Sequence, residues 1–245
     1  MNFVFDVDGT LTPSRLPINE NFQKTFLSWM EGKKVYFLTG SDKDKTIEQV
    51  GKEIWDKCTR AYQCAGNAVY EKGELIRQSD FQLTSKLENI LNTQLHRSPW
   101  QDKYSNHIEE RVGLVNFSII GRDCPQEARE AYYAWDTDYK EREQICKHIE
   151  YMIPELEAAV GGEISIDIYP KGKNKAQILE DLEGPVIFFG DKCKEGGNDY
   201  PVVKALQEQS ELPFVINDVV DWRDTYRRLS LNADMWTSLL TYGNQ

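Results

Sequence analysis

The chain has 245 residues, 40% of them hydrophobic and 11% aromatic, which suffices for one large core or two modest ones and excludes a disordered chain. Its formal net charge of −11 excludes a general nucleic-acid binder, since phosphate contact wants a basic surface, but leaves room for a small anionic substrate held by a few local cations. The five cysteines are odd in number, none has zinc-ligand spacing, and His96, His107 and His148 do not cluster with them, a pattern of thiols in a reducing compartment and hence of a cytoplasmic protein.

Asn2 to Phe5 is a short apolar run that stops at Asp6, the pattern of a buried strand with a polar loop at its C-terminal end. It is too short for a signal peptide, and no later run approaches membrane-spanning length, so no membrane partner is expected. Residues 19–31 have the period of an amphipathic helix with Asn19 as N-cap. Residues 35–38 read as a second buried strand ending at Thr39-Gly40-Ser41-Asp42, and 42–57 as a second helix. This order predicts a parallel sheet between helices. The middle of the chain differs: 82–95 reads as a helix, 113–120 as a strand with Val115, Phe117 and Ile119 on one face, and 125–153 as helical. In 163–169 the alternation is strict, with Ile164, Ile166 and Ile168 against Glu163, Ser165 and Asp167, as in a half-buried antiparallel strand with an open polar face. A helix over 173–182 and a buried strand over 186–189, ending at Gly190-Asp191, restore the first pattern. The expectation is an α/β protein: a doubly wound parallel-sheet core from 1–77 and 173–245, interrupted by an α+β insert over 78–172. Residues 216–245 hold apolar and aromatic side chains without a readable period.

Three strands therefore end in oxygen-rich loops: Asp6-Val7-Asp8-Gly9-Thr10, Thr39-Gly40-Ser41-Asp42, and Gly190-Asp191 running on to Gly196-Gly197-Asn198-Asp199. In an open parallel sheet such ends converge on one crevice, where ligands bind. Gathered carboxylates need a cation, and oxygen ligands without nearby His or Cys select Mg²⁺, which in turn implies phosphate. Two aspartates spaced as Asp6 and Asp8 suit a nucleophile and a proton carrier acting side by side.

FDVDGTLT at 5–12 resembles the first motif of the haloacid dehalogenase superfamily. That resemblance implies Asp6 as the phosphorylated nucleophile and Asp8 as the general acid/base. GDKCKEGGND at 190–199 resembles the metal motif, implying Asp191 as a Mg²⁺ ligand beside Asp6, Asp199 as a supporting acid, and Asp8 as a donor through its main-chain carbonyl. Lys175 stands where the superfamily has a phosphate-neutralising lysine. Residues 111–129 and 161–175 resemble the cap of eukaryotic-type phosphomannomutases, and TLTPSR extends the match to Arg15. By position this implies that Arg15, Arg111, Arg122, Arg129, Ser165 and Asp167 bind substrate, that a hexose 1,6-bisphosphate acts as activator, and that the insert forms a homodimer. Arginines suit the non-reacting phosphate of a sugar bisphosphate, because their forked donors are always charged.

Two departures stand out. The family has Gly-Gly-Ser-Asp where this chain has Thr39-Gly40-Ser41-Asp42, and either Thr39 or Ser41 can donate to the transferring phosphate. Ala205 occupies an acidic position of the family's second cation site. The resulting expectation is a hexose phosphomutase interconverting mannose 1-phosphate and mannose 6-phosphate. A Mg²⁺-dependent sugar-phosphate phosphatase on the same scaffold is the alternative, favoured by Thr39. A non-catalytic sugar-phosphate binder is a third, opposed by the intact Asp6, Asp8, Lys175 and Asp191.

Overall fold

The computed structural model describes residues 1–208 and 212–230, so the part of the C-terminal tail from 231 lies outside the described residues. The chain opens with β1 (Asn2–Phe5), α1 (Glu20–Trp29), β2 (Lys34–Leu38), α2 (Lys43–Val50) and α3 (Lys52–Lys57), then β3 (Arg60–Gln63), β4 (Ala68–Glu71) and β5 (Glu74–Gln78). There follow α4 (Ser85–Arg97), β6 (Ile108–Arg111), β7 (Leu114–Phe117), α5 (Gln126–Tyr139), α6 (Glu141–Met152), β8 (Leu156–Gly161) and β9 (Ser165–Pro170). A 3₁₀ segment (Lys175–Asp181) leads into β10 (Val186–Gly190), α7 (Tyr200–Glu208), β11 (Phe214–Asp218) and α8 (Trp222–Leu229).

Two compact units result: 1–78 with 175–195 and 199 onward, and 79–174 with 196–198. The first contains a seven-stranded sheet in the order β11-β10-β1-β2-β3-β4-β5. Pairing is parallel from β11 to β3, and β4 and β5 extend the sheet antiparallel. β1 lies between β10 and β2, with Asn2 in register with both Val186 and Lys34. Its successive side chains go to opposite faces, so both faces must be apolar to be buried. Phe3 and Phe5 join a cluster with Phe22, Phe26 and Trp55 on one side; Val4 joins Leu38, Ile178 and Val202 on the other. Asn19 caps α1 by accepting from the amides of Asn21 and Phe22 at 3.1 and 3.2 Å, and the helix buries Phe22 and Phe26 against β1.

The second unit is a four-stranded antiparallel sheet, β6-β7-β9-β8. One face is apolar: Val115, Phe117, Ile166 and Ile168 pack with Leu87, Leu91, Tyr132 and Ile149 from the helices. The alternation read over 163–169 is thus the alternation of β9, whose Ile166 and Ile168 are buried.

Several expected elements are interrupted. The helix expected over 42–57 breaks at Gly51, whose φ of +86° is ordinary only for glycine. The helical stretch over 125–153 breaks at Lys140, left-handed at φ 62°. The strand expected over 113–120 ends at Phe117, because Ile120 is drawn to the amide of Tyr104 (2.8 Å). A Cβ at Gly121 would lie 2.5 Å from the Ser105 carbonyl oxygen. The helix expected over 173–182 is a 3₁₀ segment. The unreadable stretch from 216 supplies part of β11 and all of α8.

The break at Lys140 is held by a buried ion pair. Asp136 accepts from the Arg142 amide at 3.0 Å and from its Nε at 2.7 Å, and Arg142 Nη1 donates to Gly162 O at 3.1 Å. Both side chains are within a few per cent of complete burial. Asp136→Ala leaves an unpaired buried guanidinium and is expected to destabilise the protein by about 3–5 kcal/mol. Chemical denaturation measures this, and replacing both partners with Leu and Met should recover most of the loss.

Candidate active site

The parallel sheet brings the C-terminal ends of β10, β1 and β2 side by side, and the oxygen-rich loops follow from them. Asp6 continues the line of β1, its amide donating to Phe189 O at 2.9 Å. The chain then turns tightly, with Leu11 and Thr12 amides returning to Val7 O at 2.9 and 3.0 Å. Gly9, at φ +80°, lets Asp191 approach: a Cβ there would lie 2.3 Å from the Asp191 Oδ2. From the 3₁₀ segment Lys175 Nζ donates to Asp6 Oδ1 at 2.6 Å and Asp199 Oδ1 at 2.7 Å. The Lys192 amide donates to the other Asp199 oxygen at 3.2 Å.

Asp6, Asp191 and Asp199 each offer an oxygen within 4.8 Å of the others. One ammonium faces three carboxylates, so the cluster is left negative. Burial pushes the Asp6 carboxyl well above the ordinary carboxylate range; Lys175 opposes this, and Asp199 and Asp191 add to it. Burial and then the charge of Asp199 push Asp191 up to about 6. Burial works against the Lys175 ammonium, but Asp199 and Asp6 outweigh it and hold its pKa above the usual value. A divalent cation fits this place: the donors are all oxygen, and its charge removes the repulsion that burial magnifies.

Asp8 is held by a separate set of donors. Its Oδ1 accepts from the Arg15 amide at 2.7 Å and Gln49 Nε2 at 2.8 Å, and its Oδ2 from Ser41 Oγ at 3.3 Å. Arg15 adopts a left-handed φ of 63°, which aims that amide. Thr39 is buried and its Oγ1 accepts from the Ser41 amide at 3.1 Å, fixing the loop that presents Ser41.

In the other unit, the face of the antiparallel sheet opposite its core is polar. Glu109 pairs with Asn116 and Asn116 with Asp167, so the three share one row across β6, β7 and β9. Asn116 Nδ2 donates to Asp167 Oδ1 at 2.6 Å. Arg122 Nη1 donates to Asn116 Oδ1 at 2.8 Å and Ser165 Oγ at 3.0 Å, and its Nε meets Glu109 Oε2 at 2.6 Å. Arg111 bonds the same Glu109 carboxylate. Arg129 is buried in the first turn of α5.

The residues singled out from sequence thus fall into two groups. Asp6, Asp8, Arg15, Thr39, Ser41, Lys175, Asp191 and Asp199 belong to the first unit, and Arg111, Arg122, Arg129, Ser165 and Asp167 to the second. Sequence reasoning missed Gln49, Glu109 and Asn116. Asn116 had a signal, since it alternates with Val115 and Phe117 and so must share the polar face; Gln49 and Glu109 had none.

A family model described as eukaryotic phosphomannomutase matches residues 22–230. The chain is 30% identical over 211 residues to a phosphomannomutase of Saccharomyces cerevisiae, covering 81% of this chain and 83% of that protein. It is 34% identical over 212 residues to a phosphomannomutase of Encephalitozoon cuniculi, covering 82% and 83%. Among solved structures, N-terminally truncated, IMP-bound Plasmodium falciparum IMP-nucleotidase is similar with a TM-score of 0.56 at 16% identity, over 93% of this chain and 66% of that one. At that identity the likeness is one of fold.

The raised Asp191 has a consequence for stability. A carboxyl whose folded pKa lies near 6 rather than at its ordinary value of 3.8 favours the protonated fold, so its contribution is lost as pH rises through that window. A bound cation removes the penalty. Mg²⁺ should therefore raise the melting temperature more at pH 7.5 than at pH 5. Asp191→Asn should abolish the Mg²⁺-dependent rise while melting, without metal at pH 7.5, no lower than the parent. Differential scanning calorimetry at the two pH values checks both.

Proposed function

The chain belongs to the eukaryotic phosphomannomutase family, and on that premise we propose that it interconverts mannose 1-phosphate and mannose 6-phosphate through a phosphorylated Asp6 and a hexose bisphosphate. The observation that carries the chemistry is Lys175 set between Asp6 and Asp199, with Asp191 beside them. The ammonium steadies one oxygen of Asp6 and leaves the carboxylate as the nucleophile toward phosphorus. Asp6 forms the new P–O bond as the sugar oxygen leaves, and Asp8 gives that oxygen its proton. In the second half, Asp8 takes the proton of the incoming sugar hydroxyl as that oxygen attacks the aspartyl phosphate, and Asp6 departs as carboxylate. Ser41, fixed by Thr39 and bonded to Asp8, suits the transferring phosphate. Mg²⁺, held by Asp6, Asp191 and the Asp8 carbonyl with Asp199 in support, would neutralise the transferring group when bound.

The phosphate that is not reacting needs its own cations, and Arg111, Arg122 and Arg129 of the inserted unit are assigned to it; Arg15 is assigned to substrate binding. Ser165 and Asp167, on the polar face of β9, suit sugar hydroxyls. Hexose 1,6-bisphosphate is the activator that phosphorylates Asp6 at the start. We also infer a cytoplasmic homodimer: the cysteines are buried thiols, and Tyr133, Tyr139 and Tyr151 of the inserted unit are exposed. Among the described residues no helix is long and apolar enough to cross a membrane.

Arg122→Ala removes charge-assisted contacts to the distal phosphate. Mannose phosphate isomerisation should fall by about one to two orders of magnitude, in turnover as well as in Michaelis constant. An aryl phosphate has no second phosphate for the arginines, so its slow hydrolysis should survive. Both rates are measured in the parent and the variant, with and without glucose 1,6-bisphosphate. Parent protein that releases only free phosphate from mannose 1-phosphate, even with bisphosphate present, is a phosphatase instead.

A further inference from the structure

Two of the arginines assigned to the distal phosphate share one carboxylate. Arg111 donates from Nε to Glu109 Oε1 at 3.0 Å and from Nη2 to Oε2 at 3.2 Å. Arg122 Nε approaches the same Oε2 at 2.6 Å. The local architecture makes this specific. Glu109 and Arg111 are two apart on β6, so they share a face. Arg122 arrives from the turn after β7, its amide donating to Asn106 O at 3.0 Å. The two guanidiniums are mostly buried, with 13% and 17% of their side-chain surface exposed, so solvent screens the three charges only in part.

We propose that Glu109 is a positioning residue for these arginines that also limits how tightly they hold phosphate, an inference that rests on the mutase reading above. Its first effect is geometric. Arg111 is held by a fork of two bonds, and Arg122 is fixed between Glu109 on one side and Asn116 and Ser165 on the other. A guanidinium fixed by its neighbours loses less freedom when a phosphate arrives. The second effect is electrostatic. The Glu109 carboxylate offsets part of the positive charge that the two guanidiniums offer a phosphate dianion.

That moderation suits a mutase. A hexose bisphosphate has a phosphate at each end, and the distal site must release one end and take the other in every turnover. Binding that is equally strong before and during the chemistry does not speed the chemistry. Two uncompensated arginines would hold the bisphosphate in the orientation in which it formed. Glu109 keeps their directional hydrogen bonding and weakens their grip.

Calorimetric titration of inorganic phosphate into the full-length protein without Mg²⁺ reads the arginines independently of turnover. Glu109→Gln should tighten phosphate binding by about three- to tenfold, most at low salt. In the isomerisation assay it should lower both KM and kcat, because the bisphosphate exchanges ends more slowly. Glu109→Asp keeps the charge and should restore the parent phosphate affinity. If the glutamine variant does not fold, Glu109→Ala, which removes the bonds as well as the charge, is compared with Glu109→Asp and should bind phosphate more tightly than it at low salt. Unchanged or weaker phosphate binding in the uncharged variants overturns the proposal and makes Glu109 a structural tie between β6 and the turn after β7. A kcat that does not fall overturns it too. Parent protein without isomerase activity defeats the mutase reading instead, and the phosphate titration still decides whether Glu109 limits the grip.

Discussion

Three carboxylates, two of them buried, and one buried ammonium gathered at the ends of the central strands set the terms for the rest of the molecule. Asp6, Asp191 and Asp199 repel one another in a place where burial already disfavours charge, and Lys175 offsets only part of that. Such a group persists only if the surrounding structure fixes it. β1 is locked between two parallel neighbours with apolar side chains on both faces, so Asp6 cannot swing away. Gly9 is tolerated at its left-handed turn and leaves room for Asp191. Asp199 is fully buried and bonded by both Lys175 and the Lys192 amide. The remaining negative charge is what a divalent cation would answer, and a cation beside a carboxylate nucleophile is what phosphoryl transfer needs.

The inserted unit solves the opposite problem. Its sheet has one apolar face, which holds it together, and one polar face where Glu109, Asn116, Asp167, Ser165, Arg111 and Arg122 form one bonded network. Here the positive charge is moderated by a built-in carboxylate, whereas in the first unit the negative charge is moderated by a built-in lysine. In each case a partly compensated cluster stays able to bind a group of opposite sign without collapsing onto itself. A strongly acidic chain can therefore serve an anionic substrate, because only the local balance of charge matters at the site.

The central strands were legible because burial on both faces demands unbroken apolar runs: FVF, VYFL and VIFF each coincide with a strand. β3, β4 and β5 were not, since they lie toward the margin of the sheet and mix polar with apolar residues. β6 reads IEER: Glu109 and Arg111 take the polar face, and Glu110 on the other face, accepting from the Leu83 amide at 3.0 Å, breaks the alternation that reveals strands. The helix breaks had unequal signals. Gly51 announces a left-handed residue, whereas a lysine at φ 62° depends on the Asp136–Arg142 pair, which no local pattern shows. In the site, the aspartates and Lys175 could be named because each sits in a recognisable stretch of sequence. Gln49, which donates to Asp8 from a helix that begins near the end of β2, and Glu109 become visible only when long-range neighbours are known.

The central claim is that Asp6 carries the phosphoryl group. The direct measurement mixes the protein with Mg²⁺ and glucose 1,6-bisphosphate, quenches in acid, digests, and locates the modification by mass spectrometry. The account predicts a single hydroxylamine-labile phosphoryl group on Asp6 that disappears on chase with mannose 1-phosphate. Isomerisation that proceeds with phosphate on another residue, or with no phosphorylated protein at all, would contradict it.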